Sequence, residues 1–200
     1  MKELFFIIFG YLFGSIPFGY VLCKIFTKKD IRNYGSGNIG ATNVYRVAGG
    51  FVAIGVLILD ILKGFLPVFI AKTFYDFSPL WLLAIGIAPV LGHNFSLFMK
   101  GKGGKGVSTS FGVIIGLFPK AALFSFVIWA LLIIITHYVS VGALTASLSL
   151  PFFIYLFHKD VSYVSAGILL FILIWFSHKG NIKRILKGKE NRIRLPWEKK

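Results

Sequence analysis

Hydrophobic residues occur in long, nearly uncharged stretches that are separated by short polar segments. Several stretches approach ~20 residues, the length that crosses a bilayer as a helix. Hydrocarbon leaves a spanning backbone only the helix or a closed barrel, and these runs are too long and too uniformly apolar for barrel strands. The pattern therefore predicts seven helices, over residues 4–26, 47–74, 79–98, 106–118, 119–136, 139–157 and 162–176.

The composition supports an all-α integral membrane protein rather than a soluble domain. Only 14 % of the residues are charged, 56 % are hydrophobic and the mean hydropathy is +0.80, whereas soluble domains carry roughly 25 % charged residues. We expect one membrane-embedded domain over residues 1–200. The lone Cys23 excludes an internal disulfide and a multi-cysteine metal site, and we expect no metal and no cofactor.

The number of spans depends on residues 106–136, which could form one long helix or two short ones. Pro119 favours a break, because proline costs a helix interior about 3 kcal/mol. With seven spans, seventeen lysines and arginines fall on one side and four on the other. Cationic loops stay in the cytoplasm, so we expect seven spans (alternatively five), an outer amino terminus and a cytoplasmic carboxyl terminus. The cationic cytoplasmic loops thereby explain the net charge of +15, and binding of nucleic acid is not needed to explain it.

Three polar segments fall together on the predicted cytoplasmic side. The first, residues 35–46, reads GSGNIGATNVYR. Its glycines allow close approach of a ligand, and its hydroxyl and amide side chains add neutral hydrogen bonds beside Arg46. An ordinary turn before a helix, with Thr42 or Asn43 as N-cap, is the alternative.

The second segment contains KGKGGKGVSTS at residues 100–110. Glycines entering a helix near Val107, flanked by Lys102 and Lys105, are typical of an anion site formed by backbone N–H groups and the helix dipole. The spacing does not fit a Walker A motif, which needs lysine where Val107 stands, and no strand precedes the segment as a dinucleotide motif requires. A flexible basic loop facing anionic lipid is the alternative.

The third segment, residues 177–190, follows the last apolar run. His178, Asn181 and Arg184 recur on one helical face, and three lysines on another face are expected to meet lipid headgroups. Together the three segments predict a cationic, hydrogen-bonding cup at the cytoplasmic surface. Its ligand should be anionic, with phosphate as the leading candidate. An enzyme of phospholipid synthesis fits, and a transporter of a phosphorylated solute is the alternative.

The motifs resemble those of the bacterial membrane glycerol-3-phosphate acyltransferases that use acyl phosphate as donor. SGNIGATN matches the first family motif, GH.F and KGGKGV the second, and H..NI.R...G.E the third. The chain departs from the pattern at Ser96, Gly101 and Ser108 without losing a polar group. VSVGA, at residues 139–143, resembles a further family segment only weakly.

The resemblance implies transfer of an acyl group from acyl phosphate to glycerol 3-phosphate in the bacterial inner membrane, the first acylation step of phospholipid synthesis. The products are lysophosphatidic acid and phosphate, the site faces the cytoplasm, and neither coenzyme A nor acyl carrier protein takes part. His178 or the departing phosphate would act as base. The expected catalytic residues are Ser36, Lys105, His178 and Asn181. The expected substrate-binding residues are Gly37, Asn38, Thr42, Asn43, Arg46, His93, Lys102, Gly103, Gly104, Gly106, Val107, Arg184 and Glu190.

Overall fold

The computed structural model describes residues 1–193, and the regular structure in this part of the chain is helical. Two short 3-10 helices, Ile31–Asn33 and Leu97–Met99, accompany the α-helices. The α-helices are α1 Lys2–Ser15, α2 Phe18–Thr27, α3 Ala41–Phe74, α4 Pro79–Asn94, α5 Val107–Leu117, α6 Pro119–Thr136, α7 Val139–His158, α8 Val161–Ser177 and α9 Lys179–Leu186. The predicted all-helical architecture is confirmed.

Five helical segments are long and apolar enough to cross a membrane, and α8 with α9 would make a sixth if this pair, bent by 64°, is one span. The remaining predicted span, α5, has 11 residues, about 16 Å of helix against a hydrocarbon core of about 30 Å. The count of seven and the orientation of the termini stay predictions. Arg194, Lys199 and Lys200, which contribute to the charge bias, lie outside the described residues.

The break that Pro119 predicts is present. Helix α5 ends at Leu117 and α6 begins at Pro119, where a missing N–H costs nothing because the first helical amides have no intrahelical acceptor. The described chain also divides here into two compact units, Met1–Leu117 and the residues from Phe118 onward. The expectation of a single domain over residues 1–200 stays a prediction.

Two helical segments of the first unit are interrupted. Helices α1 and α2 are separated at Ile16 and Pro17, since proline lacks the N–H that would continue the helix. Helix α3 is interrupted at Gly49, whose φ of 84° and ψ of 175° belong to a region that only glycine adopts readily. The interruption sets the short piece that carries the first polar segment apart from the long apolar piece of α3.

Close helix packing in this unit depends on glycines that face a neighbouring backbone. A Cβ atom on Gly14 would collide with the backbone of Pro89, and one on Gly92 with the carbonyl of Tyr11, so α1 and α4 approach closely. In the same way Gly64 of α3 faces the carbonyl of Thr109 in α5. Larger side chains at these positions would force the helices apart.

The second unit contains α6 to α9. Buried apolar side chains of α7 and α8, among them Leu150, Ile154, Leu170 and Ile174, form its core. His178 ends α8 and begins α9, at the 64° bend between the two helices. The bend separates the polar third segment from the apolar body of α8.

Candidate active site

Asn43 organises the first polar segment. Its side-chain oxygen accepts from the backbone N–H of Ser36 over 2.8 Å, and its amide nitrogen donates to the carbonyls of Tyr34 at 3.0 Å and Asn38 at 2.9 Å. The side chain is only 1 % exposed. A Cβ atom on Gly35 would collide with the Asn43 oxygen. These bonds give Asn43 the task of folding the loop that presents Ser36.

Helix α3 does not have the N-cap residue that the alternative prediction named. Gly40 is the N-cap, without a side-chain hydrogen bond, so the expectation of Thr42 or Asn43 as cap is wrong. The Asn38 side chain accepts from the N–H of Gly40 over 2.8 Å, which leaves Asn43 to hold the preceding turn. Ser36 and Arg46 are exposed, whereas Gly37, Asn38 and Thr42 are half-buried.

An ion pair holds the chain just before this segment. The Arg32 guanidinium donates to both carboxylate oxygens of Asp30, at 2.6 Å for the shortest contact. Hydrogen bonding to Arg32 lowers the pKa of Asp30 from 3.8 to about 2. The carboxylate is therefore charged throughout the physiological pH range and keeps Arg32 engaged beside the loop.

The glycine loop of the second segment is fastened to the end of α4. The N–H of Gly103 donates to the carbonyl of Asn94 at 3.1 Å, and that of Gly104 to the carbonyl of His93 at 2.9 Å. The sequence predicts that backbone N–H groups of this glycine loop hold an anion, but the amides of Gly103 and Gly104 already donate to backbone carbonyls. The glycines are needed for packing, since Cβ atoms there would collide with the His93 carbonyl and ring.

The start of α5 keeps the character of an anion site. Ser110 donates the first intrahelical bond to Gly106 over 2.7 Å, so the amides of Val107, Ser108 and Thr109 have no acceptor within the helix. Their partial positive charge favours an anion. Lys102 is exposed and Lys105 half-buried on the loop that enters this helix. Binding of an anion by these lysines and the first turn of α5 stays a prediction.

His93 lies beneath this loop and is 4 % exposed. Its Nδ1 is 3.7 Å from Oδ1 of Asp60, and its other ring nitrogen faces Gly104. These contacts give His93 a supporting position, in place of the substrate contact expected from the sequence.

The third segment is gathered around the carboxylate of Glu190. Oε1 accepts from Asn181 at 2.6 Å and from Ser140 at 3.1 Å, and Oε2 accepts from Arg184 at 2.8 Å. The Glu190 side chain is 6 % exposed, whereas Arg184 is 38 % exposed. A carboxylate repels phosphate, so these contacts favour a supporting role for Glu190 over the expected substrate contact.

The His178 ring has a defined tautomer in this arrangement. Nδ1 lies 2.8 Å from the carbonyl oxygen of Ile174, and a carbonyl can only accept, so Nδ1 carries the proton in the neutral ring. The lone pair is then on Nε2. The side chain is 3 % exposed, and the arrangement suits a base that acts through Nε2.

Two residues that take part in these contacts, Ser140 and Lys63, were only weakly indicated by the sequence. Ser140 stands 50 residues from Glu190 in the chain, and only the weak resemblance of VSVGA pointed to it. Lys63 forms an ion pair with Asp60, three residues before it in α3, over 2.8 Å. Its further bond to the carbonyl of Ile16 left no signal in the sequence.

The sequence matches the family described as "Glycerol-3-phosphate acyltransferase" over residues 4–188. The chain belongs to the glycerol-3-phosphate acyltransferase family. It is 43 % identical to the glycerol-3-phosphate acyltransferase of Aquifex aeolicus, over 96 % of this chain and 100 % of the relative. The Bradyrhizobium diazoefficiens protein of the same name is 44 % identical, over 94 % of this acyltransferase and 93 % of the relative.

Solved structures agree with this assignment. The acyltransferase is similar to crystal structures of PlsY, an integral membrane glycerol 3-phosphate acyltransferase, in a glycerol 3-phosphate form and a lysophosphatidic acid form. The TM-scores are 0.91 and 0.89 at 42 % identity, and each alignment covers 97 % of this chain and 96 % of the other. The predicted family is thus confirmed, and the protein is a membrane-embedded acyltransferase.

The structure brings the predicted residues together in part. Within the first unit, Gly103, Gly104 and His93 share one packed region. Within the second unit, Asn181, Arg184 and Glu190 share one hydrogen-bonded cluster. Convergence of all three polar segments on one ligand stays a prediction. In residues 1–193, no group of three His, Cys, Asp or Glu side chains could hold a metal ion.

Proposed function

We propose that this acyltransferase moves a fatty acyl group from an acyl phosphate to a hydroxyl of glycerol 3-phosphate. The ester bond forms as the bond between the acyl carbon and the phosphate oxygen breaks. The products are lysophosphatidic acid and inorganic phosphate, and the hydroxyl proton passes to a base. Neither coenzyme A nor acyl carrier protein takes part. The reaction takes place at the cytoplasmic face of the bacterial inner membrane.

The similarity to PlsY is the main support for this proposal. That protein has been crystallised in glycerol 3-phosphate and lysophosphatidic acid forms, which are the acceptor and the acylated product proposed here. The 42 % identity extends over 97 % of this chain. We therefore propose the same acceptor and the same acylated product for the whole protein. The acyl phosphate donor comes from the motif resemblance and from the charges described next.

Cationic groups support a reaction between two phosphorylated substrates, which repel each other. Arg46, Lys102 and Lys105 lie on the two polar segments of the first unit, and Arg184 belongs to the second. Because Glu190 contacts only Nε of Arg184, the guanidinium can direct further N–H groups toward a phosphate. Several cations around one ligand site would offset the repulsion of the two anions.

In the proposed mechanism, Lys105 and the first amides of α5 hold the acyl phosphate and stabilise the departing phosphate. Charge develops on that leaving group, and preorganised N–H groups stabilise it more than they stabilise the bound substrate. Acyl phosphate is an activated anhydride, so a covalent acyl-enzyme is not required. Cys23 is fully buried in α2 and does not suit a nucleophile.

The acceptor would be oriented by Asn181 and Arg184, which Glu190 holds in place, while Ser36 contributes to binding either anion. Nε2 of His178 would accept the hydroxyl proton, and the departing phosphate is the alternative base. Positioning of the two reactants supplies most of the acceleration. The seven-span arrangement, with the amino terminus outside, completes the proposal, because it would put all three segments on the cytoplasmic side.

The deciding experiment uses purified protein with palmitoyl phosphate. We expect release of phosphate and formation of lysophosphatidic acid only when glycerol 3-phosphate is present. Turnover with palmitoyl coenzyme A or palmitoyl acyl carrier protein, and none with palmitoyl phosphate, would overturn the proposed donor. Counterflow of labelled glycerol 3-phosphate in proteoliposomes without any product would overturn acyl transfer in favour of transport.

A further inference from the structure

A charged pair is buried in the interior of the first unit, in helix α3. Nζ of Lys63 lies 2.8 Å from Oδ1 of Asp60, and the two side chains are 1 % and 3 % exposed. Removing two charges from water is costly, and an apolar pair of similar size is often as stable. Within a membrane-spanning helix such groups usually have a task. Their other contacts indicate what that task is.

The first of these contacts is at the break between α1 and α2. Nζ of Lys63 also donates to the carbonyl of Ile16 over 2.9 Å, directly before Pro17, and the ammonium lies 5.5 Å from the ring centre of Phe18. The same carbonyl also accepts from the N–H of Phe18 at 3.1 Å. Lys63 therefore joins the break in the first helical segment to the middle of α3.

A second connection at the break leads to the glycine loop. The hydroxyl of Ser96, which is 1 % exposed, donates to the carbonyl of Ser15 over 2.5 Å. The carbonyl of Ser96 in turn accepts from the N–H of Gly101 over 2.8 Å. The same break is thus held from one side by Lys63 and from the other by the segment that becomes the loop.

The third connection runs through His93. Asp60 Oδ1 lies 3.7 Å from His93 Nδ1, an electrostatic contact that is too long for a hydrogen bond, and the ring on its other side abuts Gly104, where a Cβ atom could not fit. The carbonyl of His93 accepts the N–H of Gly104 at 2.9 Å. Gly104 directly precedes Lys105. The position and direction of the Lys105 side chain therefore depend on where the His93 ring lies.

We propose that Asp60, Lys63 and His93 form a positioning network for the loop at residues 102–106. The network holds Gly104 against His93 so that Lys105 and the first turn of α5 face the same phosphate. These three residues do not touch substrate, and they act through the loop. The inference rests on the proposed function only in requiring that this loop binds a phosphate group.

Two variants test the network in different ways. His93→Gln removes the imidazole from beneath Gly104 and leaves the Asp60–Lys63 pair intact. The double variant Asp60→Asn with Lys63→Met removes both charges together and so avoids an unpaired buried ion. Val68→Ala is the matched control, because Val68 is also fully buried in α3 and contacts Gly86 and Gly116, away from the loop.

The measurements are the dissociation constant for inorganic phosphate, which represents the phosphate held at this loop, the thermal midpoint, and kcat and KM for palmitoyl phosphate. We expect His93→Gln and the double variant to weaken anion binding and to lower kcat/KM by roughly tenfold or more, because small misplacements of a binding group are costly. Val68→Ala should lower the thermal midpoint and leave anion affinity unchanged.

Unchanged anion affinity in His93→Gln would overturn the network, and this variant decides the matter if the double variant does not fold. Anion affinity that falls equally in Val68→Ala at a matched thermal midpoint would also overturn it, because the role would then be purely structural. Failure of the proposed donor is recognised separately, by wild-type protein that binds glycerol 3-phosphate but does not turn over palmitoyl phosphate.

Discussion

The side-chain amide of Asn181 donates to Oε1 of Glu190 over 2.6 Å, and the other oxygen of the same carboxylate accepts from Arg184. One buried carboxylate therefore orients two of the polar groups on α9. This contact explains why an acidic residue belongs to a motif that is expected to bind phosphate. Glu190 neutralises part of the local positive charge and fixes the direction of the rest.

Glu190→Gln tests this orientation. The amide oxygen can accept from Asn181 or from Arg184 but not serve both as the carboxylate does, and the negative charge that pairs with Arg184 is lost. We expect a loss of about 1 to 2 kcal/mol of stability, discounted for the partial exposure of Arg184, and a higher KM for glycerol 3-phosphate. Ser140→Ala, which removes one hydroxyl donor to the carboxylate and no charge, should have a smaller effect on both. Equal effects of the two variants would contradict the importance of the ion pair.

Gly104→Ala tests the packing of the glycine loop. The new methyl group would collide with the His93 ring, so the loop must move and carry Lys105 with it. We expect kcat/KM to fall roughly a hundredfold, by analogy with other misplaced binding groups. Gly50→Ala is the control, since a Cβ atom there meets Tyr45 at an ordinary 3.7 Å. A Gly104→Ala enzyme with normal kinetics would show that the loop tolerates displacement.

Asn43→Ala tests the first polar segment. The change removes three hydrogen bonds, which join this buried side chain to the carbonyls of Tyr34 and Asn38 and to the N–H of Ser36. We expect a destabilisation of about 2 to 3 kcal/mol, measured as a lower thermal midpoint, together with loss of activity. Asn43→Asp, which keeps only the acceptor, should rescue part of the stability. Asn33→Ala, an exposed asparagine nearby, should change neither quantity.

His178→Ala tests the identity of the base. If Nε2 accepts the hydroxyl proton, kcat should fall by about a hundredfold or more. His178→Asn can still donate to the Ile174 carbonyl but cannot act as base, so it separates positioning from proton transfer. Near-normal turnover of His178→Ala at saturating substrate would assign the proton to the departing phosphate.

Single cysteines test the number of spans. In a Cys23→Ser background, Lys102→Cys and Lys120→Cys flank α5, the short helix of 11 residues. Seven spans predict that a membrane-impermeant thiol reagent reaches position 102 only from the cytoplasm and position 120 only from outside. Lys159→Cys should label like position 120. Labelling of positions 102 and 120 from the same side would mean that α5 does not cross the membrane.

The helices could be predicted from the sequence because the signal is local and repeated. A run of apolar residues such as 119–136 has no other stable form in hydrocarbon than a helix, and Pro119 marks its start through its own chemistry. The polar segments were recognisable for the same reason. Glycines, lysines and amides between apolar runs cannot be explained by membrane spanning alone.

The hydrogen-bond partners of the polar side chains depend on contacts between distant parts of the chain. Lys63 meets the Ile16 carbonyl 47 residues away, and Ser140 meets Glu190 over 50 residues. The sequence by itself determined which residues form apolar helices and which polar groups stand between them, because helix formation in apolar runs follows local composition. Only the tertiary structure decided which of those groups support the loops and which can face a ligand, because hydrogen-bond partners are set by helix packing and leave no periodic trace in the chain.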